Sequence, residues 1–134
     1  MRLFFLVLAF AALSFADAPS AIVRGKLAQR AGQPPAIETS DHKFISLEGD
    51  AATLGVLNDK RLAGTDLNLK GHFSGAARFT VDPIHTKAML VHKNGKTYRI
   101  TYWCDVCAIR TYTPGPCICC QQETQLDLRD PNKE

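Results

Sequence analysis

Four of the five cysteines in this 134-residue chain form two Cys-x-x-Cys pairs, Cys104 with Cys107 and Cys117 with Cys120. Nine residues separate the pairs, and all of them lie in the last third of the sequence. Two tight turns that each present two thiolates can share one tetrahedral ion only if they converge, so segment 104–120 has to fold back on itself. Pro114-Gly115-Pro116 supplies a reversal just ahead of the second pair. Cys119 is left over, as an alternate ligand or a free thiol.

Four thiolates in this spacing make zinc the default ion, with copper(I) or an iron-sulfur cluster as the alternatives that soft sulfur ligands also suit. Two disulfides and one free thiol are the competing arrangement, and a dithiol that cycles between redox states is a third. The compartment bears on the choice. Met1-Arg2 is followed by Leu3 to Leu13 without a charge, then Ser14-Phe15-Ala16, which is the pattern of a secretory signal peptide cut after Ala16. A run of about 11 apolar residues is too short for a span, which needs about 20. The expectation is an exported protein, periplasmic or extracellular, with no membrane contact after cleavage; export favours disulfides over a metal.

The formal charge of +3 includes Arg2, and both signs are interspersed along the remainder. With 8% aromatic residues and no basic run interleaved with aromatics, a nucleic-acid partner is not expected. A protein or small ligand is. No Ser-His-Asp motif, glycine-rich phosphate loop or paired acid-base carboxylates stand out, so an enzyme is the minority reading.

Strand-like stretches lie at 21–27, 36–40 and 43–48, the last two joined by a turn at Asp41-His42. Asp50 is placed to cap a short helix by accepting from the Thr53 amide, with Leu54, Leu57 and Leu62 turned to a core and Gly64 as the stop. Gly55 makes two short turns the alternative to one continuous helix. Strands at 65–73 and 77–81 follow. Three strands, a helix and two strands is the order of an OB-fold barrel.

The strongest local signal is Asn94-Gly95 between Met89–Lys93 and Lys96–Trp103. Both turn positions favour positive φ, so a two-residue hairpin forms with Lys93 opposite Lys96, Val91 opposite Tyr98 and Met89 opposite Ile100. Met89, Val91, Tyr98, Ile100 and Tyr102 then share an apolar face that Cys104 continues. The four histidines form no ligand pair, although a turn at Asp82-Pro83-Ile84-His85-Thr86 would hold Asp82 against His85. Gln125-Leu126-Asp127-Leu128 reads as a short edge strand before a frayed end.

The glycine in the first strand, Arg61-Leu62-Ala63-Gly64 and Lys70-Gly71-His72-Phe73 resemble small secreted bacterial OB-like domains. The two cysteine corners resemble zinc-ribbon and rubredoxin knuckles, with Ala108 and Gln121 standing where such knuckles carry glycine. Together these readings give a mainly β protein: a signal peptide at 1–16, an OB-like β-barrel with a C-terminal hairpin at 17–103, and a cysteine-rich metal-binding segment and tail at 104–134. The expected role is a non-enzymatic binding module with a structural metal at Cys104, Cys107, Cys117 and Cys120. The alternative is a thiol-disulfide or copper-handling protein that works through the Cys-x-x-Cys pairs.

Overall fold

The computed structural model describes residues 19–133. The expected signal peptide at 1–16 lies outside the described residues. Residues 21–81 form β1 (Ala21–Ala28), β2 (Ala36–Glu38), β3 (Phe44–Glu48), helix α1 (Ala51–Leu57), β4 (Asp66–Gly75) and β5 (Arg78–Val81). β1 pairs with β2 and β2 with β3, both antiparallel; β3 runs parallel to β5; β5 pairs antiparallel with β4, and β4 returns to β1. This closes a five-stranded barrel in the OB-like order 1-2-3-5-4, with the helix between the third and fourth strands.

Alternation in the strands decides what fills the barrel. Val23, Leu27, Ile37, Leu47, Leu67, Leu69, Phe79 and Val81 all point inward and are buried. Each such side chain contributes about 1.5–3 kcal/mol relative to exposure. Val56 and Leu57 of α1 and Leu62 of the 3-10 turn Lys60–Leu62 close the barrel's end. Asp50 caps α1 as expected, accepting from the Thr53 amide at 2.8 Å. Gly55 is accommodated inside one helix, which ends at Leu57 with the 3-10 turn as a separate piece. Two strand glycines are fixed by closeness: a Cβ on Gly71 would sit 1.9 Å from the Thr80 carbonyl oxygen, and one on Gly25 would sit 2.3 Å from that of Glu38. No larger residue allows the strands to approach this way.

A short helix α2 (His85–Ala88) leads into β6 (Met89–Lys93) and β7 (Lys96–Cys104). Asn94 and Gly95 form the turn at φ +52° and +74°, and the register is the expected one, Lys93 with Lys96 and Val91 with Tyr98. Leu67 of β4 pairs with Gly25 of β1 on one side and Val91 of β6 on the other, so the hairpin extends the barrel wall along β4 beyond β5. Met89, Val91, Ile100 and Tyr102 are buried on the inner face.

Two further strands complete this extension, β8 (Ile109–Thr111) and β9 (Gln125–Arg129). Arg99 pairs with both Leu90 and Arg129, which places β9 on the opposite edge of β7 from β6. Leu126 and Leu128 pack against the core cluster. β8 has no sequence signature, since three half-buried residues carry no readable period. Among the described residues, no helix is long and apolar enough to cross a membrane.

Candidate metal centre

Each cysteine pair sits at the tip of an antiparallel hairpin. The first tip joins β7 to β8, with Cys104 opposite Ile109, Trp103 opposite Arg110 and Tyr102 opposite Thr111. The second is closed by the pairing of Pro116 with Glu123, by the Cys117 amide donating to the Gln122 carbonyl at 2.7 Å, and by the Gln121 amide donating to that of Cys117 at 2.8 Å. The Thr124 hydroxyl donates to the Gly115 carbonyl at 2.8 Å and ties the base of this hairpin. Gly115 itself is at φ +130°, in the reversal expected at Pro-Gly-Pro.

Both tips turn a backbone amide toward the first sulfur of the pair. The Cys107 amide points at Cys104 Sγ at 3.4 Å, and the Cys119 amide at Cys117 Sγ at 3.5 Å. The residue after each pair turns left-handed, Ala108 at φ +52° and Gln121 at φ +60°. These are the positions where zinc knuckles carry glycine. The conformation that glycine would ease is therefore present at both corners without it.

Cys104, Cys107, Cys117 and Cys120 are brought together, with all four Sγ atoms within 4.8 Å of one another. Cys104 and Cys120 approach to 3.5 Å. A tetrahedral ion with metal-sulfur distances of about 2.3 Å requires sulfur-sulfur edges of about 3.8 Å, so the cluster fits four-coordinate binding after sub-ångström adjustment. It is also far looser than the roughly 2.05 Å of a disulfide. Cys104 and Cys117 are buried and the other two half-buried, while Cys119 is exposed and outside the group of four.

The thiols are electrostatically crowded. Cys117 is drawn down to about 7, chiefly by the amides of Cys120 and Cys119. Cys107 is pushed up, first by the neighbouring Cys119 thiol, then by burial and the Cys120 and Cys117 thiols. The Cys107 amide lowers Cys104, but burial and the Cys120 and Cys117 thiols outweigh it and the net shift is upward. Four thiolates so close together cannot all ionise without a cation among them, and a bound dication is what removes that penalty.

Long-range contacts that no local pattern signals hold the module to the barrel. Asp59 caps the 3-10 turn and accepts from Arg61 Nε and Nη2 at 3.0 and 2.9 Å. The same guanidinium donates through Nη1 to the Thr124 carbonyl at 2.8 Å and stacks 5.2 Å from the buried Tyr102 ring. Burial acts to raise Asp59, but the Arg61 bonds outweigh it and hold the carboxyl below the usual range. His85 is not held by Asp82 as the turn suggested. Its Nε2 meets the Tyr112 carbonyl at 2.8 Å, on the segment that joins the two hairpins. The other three histidines also lie outside the sulfur cluster.

Comparison with family models, curated proteins and solved structures finds no match to this chain.

Proposed function

We propose that the chain is an exported, non-enzymatic binding module in which Cys104, Cys107, Cys117 and Cys120 hold one structural metal ion, zinc by preference. The observation that carries the metal reading is the convergence of four sulfurs at two hairpin tips that each turn a backbone amide toward the first sulfur of the pair. Two first cysteines receive backbone amides, which favours thiolate, and four sulfurs suit zinc's tetrahedral preference. The ion's role would be to lock 104–124 against β7, since β8 is too short to hold itself there. The apolar run at 3–13 supports export.

Metal analysis of protein purified from its native compartment, with a thiol count after chelation and denaturation, tests this reading. One zinc per chain and five titratable thiols are expected. Two disulfides with no metal would sink it. One observation favours the second reading, a soft-metal or thiol-disulfide protein: the exposed Cys119 thiol lies beside Cys107, a member of the cluster. A metal in rapid exchange with a competing thiol ligand, slowed by Cys119→Ser, would favour that alternative.

A further inference from the structure

Cys119 lies outside the group of four sulfurs but within hydrogen-bonding reach of one member, the Cys107 thiol on the other hairpin tip. The five differ in access. Cys104 and Cys117 are buried, and each takes a backbone amide, from Cys107 at 3.4 Å and Cys119 at 3.5 Å. Cys107 and Cys120 are half-buried, and Cys119 is exposed. Next to it in sequence Ile118 is 84% exposed, and Val106, beside Cys107, is 68% exposed, so both tips stand out into solvent. A small oxidant reaches Cys119 before any of the others. Once oxidised, Cys119 has one well-placed sulfur to pair with. Cys120 follows it directly, and adjacent Cα atoms lie about 3.8 Å apart, short of the roughly 4.4–6.8 Å that a disulfide spans. Cys104 and Cys117 are covered, which leaves Cys107.

We propose that Cys119 is an exchange site for low-molecular-weight disulfides, and that exchange there bridges Cys119 to Cys107 and takes Cys107 away from the metal. The inference rests on reading the four sulfurs as a metal site and supplies the regulation of that site. In the first step the Cys119 thiol gives up its proton and its sulfur attacks one sulfur of the oxidised compound RSSR. A Cys119–SR bond forms, the RS–SR bond breaks, and the first RS group leaves with the proton as RSH. In the second step the Cys107 thiolate attacks Cys119 Sγ, the Cys107–Cys119 bond forms, and the second RS group departs as thiolate. RSSR gains the two electrons that the two cysteines lose. The thiolate is the form of sulfur that ligates a metal, so Cys107 drops out as a ligand. Cys104, Cys117 and Cys120 remain, with a fourth position open to water. The new bond joins the same two tips that the ion joins, so the metal leaves without the tips coming apart.

For the test, the purified protein is loaded with zinc under reducing conditions, freed of reductant and analysed for metal. A chain that takes up no zinc overturns the metal reading and the switch with it; in a chain carrying one zinc, the later steps test the switch alone. Oxidised glutathione is added at low protein concentration, and zinc release is followed with a chromogenic chelator. Release at least about tenfold faster than without oxidant is expected, since one of four ligands is lost. The remaining thiols are then alkylated. Trypsin, cutting after Arg99, Arg110 and Arg129, should yield 100–110 joined to 111–129, with the alkyl label on Cys104, Cys117 and Cys120. Cys119→Ser should bind one zinc and release it, with oxidant present, within about twofold of its rate without. Should serine alter the circular dichroism spectrum, Cys119→Ala makes the same test. Equal acceleration in the Cys119 variant, a glutathione adduct that persists on Cys119 with the zinc retained, a bridge between two chains, or a bridge that leaves Cys107 open to alkylation would overturn the proposal.

Discussion

Ala108 and Gln121 carry the left-handed turns that shape the two cysteine corners, at φ +52° and +60°. A side chain in that region costs about 1 kcal/mol that glycine does not incur. Ala108→Gly and Gln121→Gly should therefore each raise stability by about 0.5–1 kcal/mol in denaturant unfolding of the metal-loaded protein, without loss of metal. At the sulfurs, Cys119→Ser should retain one metal per chain and Cys104→Ser should not, as read by metal analysis after gel filtration. Asp59 makes a pH prediction. Its folded pKa lies below the unfolded value, so it contributes stability that is present above about pH 4 and lost as pH falls through the lower, folded value. Asp59→Asn should unfold at a lower temperature than the parent at pH 7, with the difference narrowing toward pH 3. Comparing the two chains isolates this effect from acid release of the metal, which both share.

The β6–β7 hairpin is specified at its own scale, because Asn-Gly fixes the turn and the turn fixes the register. That register sets which residues of β7 are buried and delivers Cys104 to the inner side of the sheet. β4 depends on its surroundings instead. It carries β1 on one edge and both β5 and β6 on the other, and it admits β5 only because Gly71 offers no Cβ toward the Thr80 carbonyl. Gly71→Ala should cost at least about 2 kcal/mol in thermal or denaturant unfolding, the price of overpacking against backbone that has no room to yield. The same substitution at Gly55, where an added Cβ meets nothing within 4 Å, should stabilise α1 by about 0.5–1 kcal/mol.

Across the whole molecule, the barrel core and the cysteine module draw on different sources of stability. Val23 through Val91 pack without any cysteine in their cluster, whereas β8 and the second hairpin rest on short pairings, Arg61, Thr124 and the sulfurs. Chelation should accordingly speed amide hydrogen exchange at Cys107, Cys119 and 109–111 while β1, β4 and β5 keep their protection. The order of strands, the helix cap at Asp50, the hairpin register and the candidate ligands were all legible in the sequence, because each is set by alternation, spacing or a turn a few residues long. β8 was not, since three residues have no period, and neither were the Arg61–Thr124 and His85–Tyr112 contacts, which join positions 63 and 27 residues apart. By itself the sequence determined an OB-like barrel, a hairpin and two thiol pairs able to share an ion. Only the tertiary structure decided that the barrel closes through a parallel β3–β5 pairing, that Ala108 and Gln121 turn left-handed, and that four sulfurs converge while Cys119 stays outside. Closure, convergence and exclusion depend on distances between segments far apart in the chain, which local residue patterns do not encode.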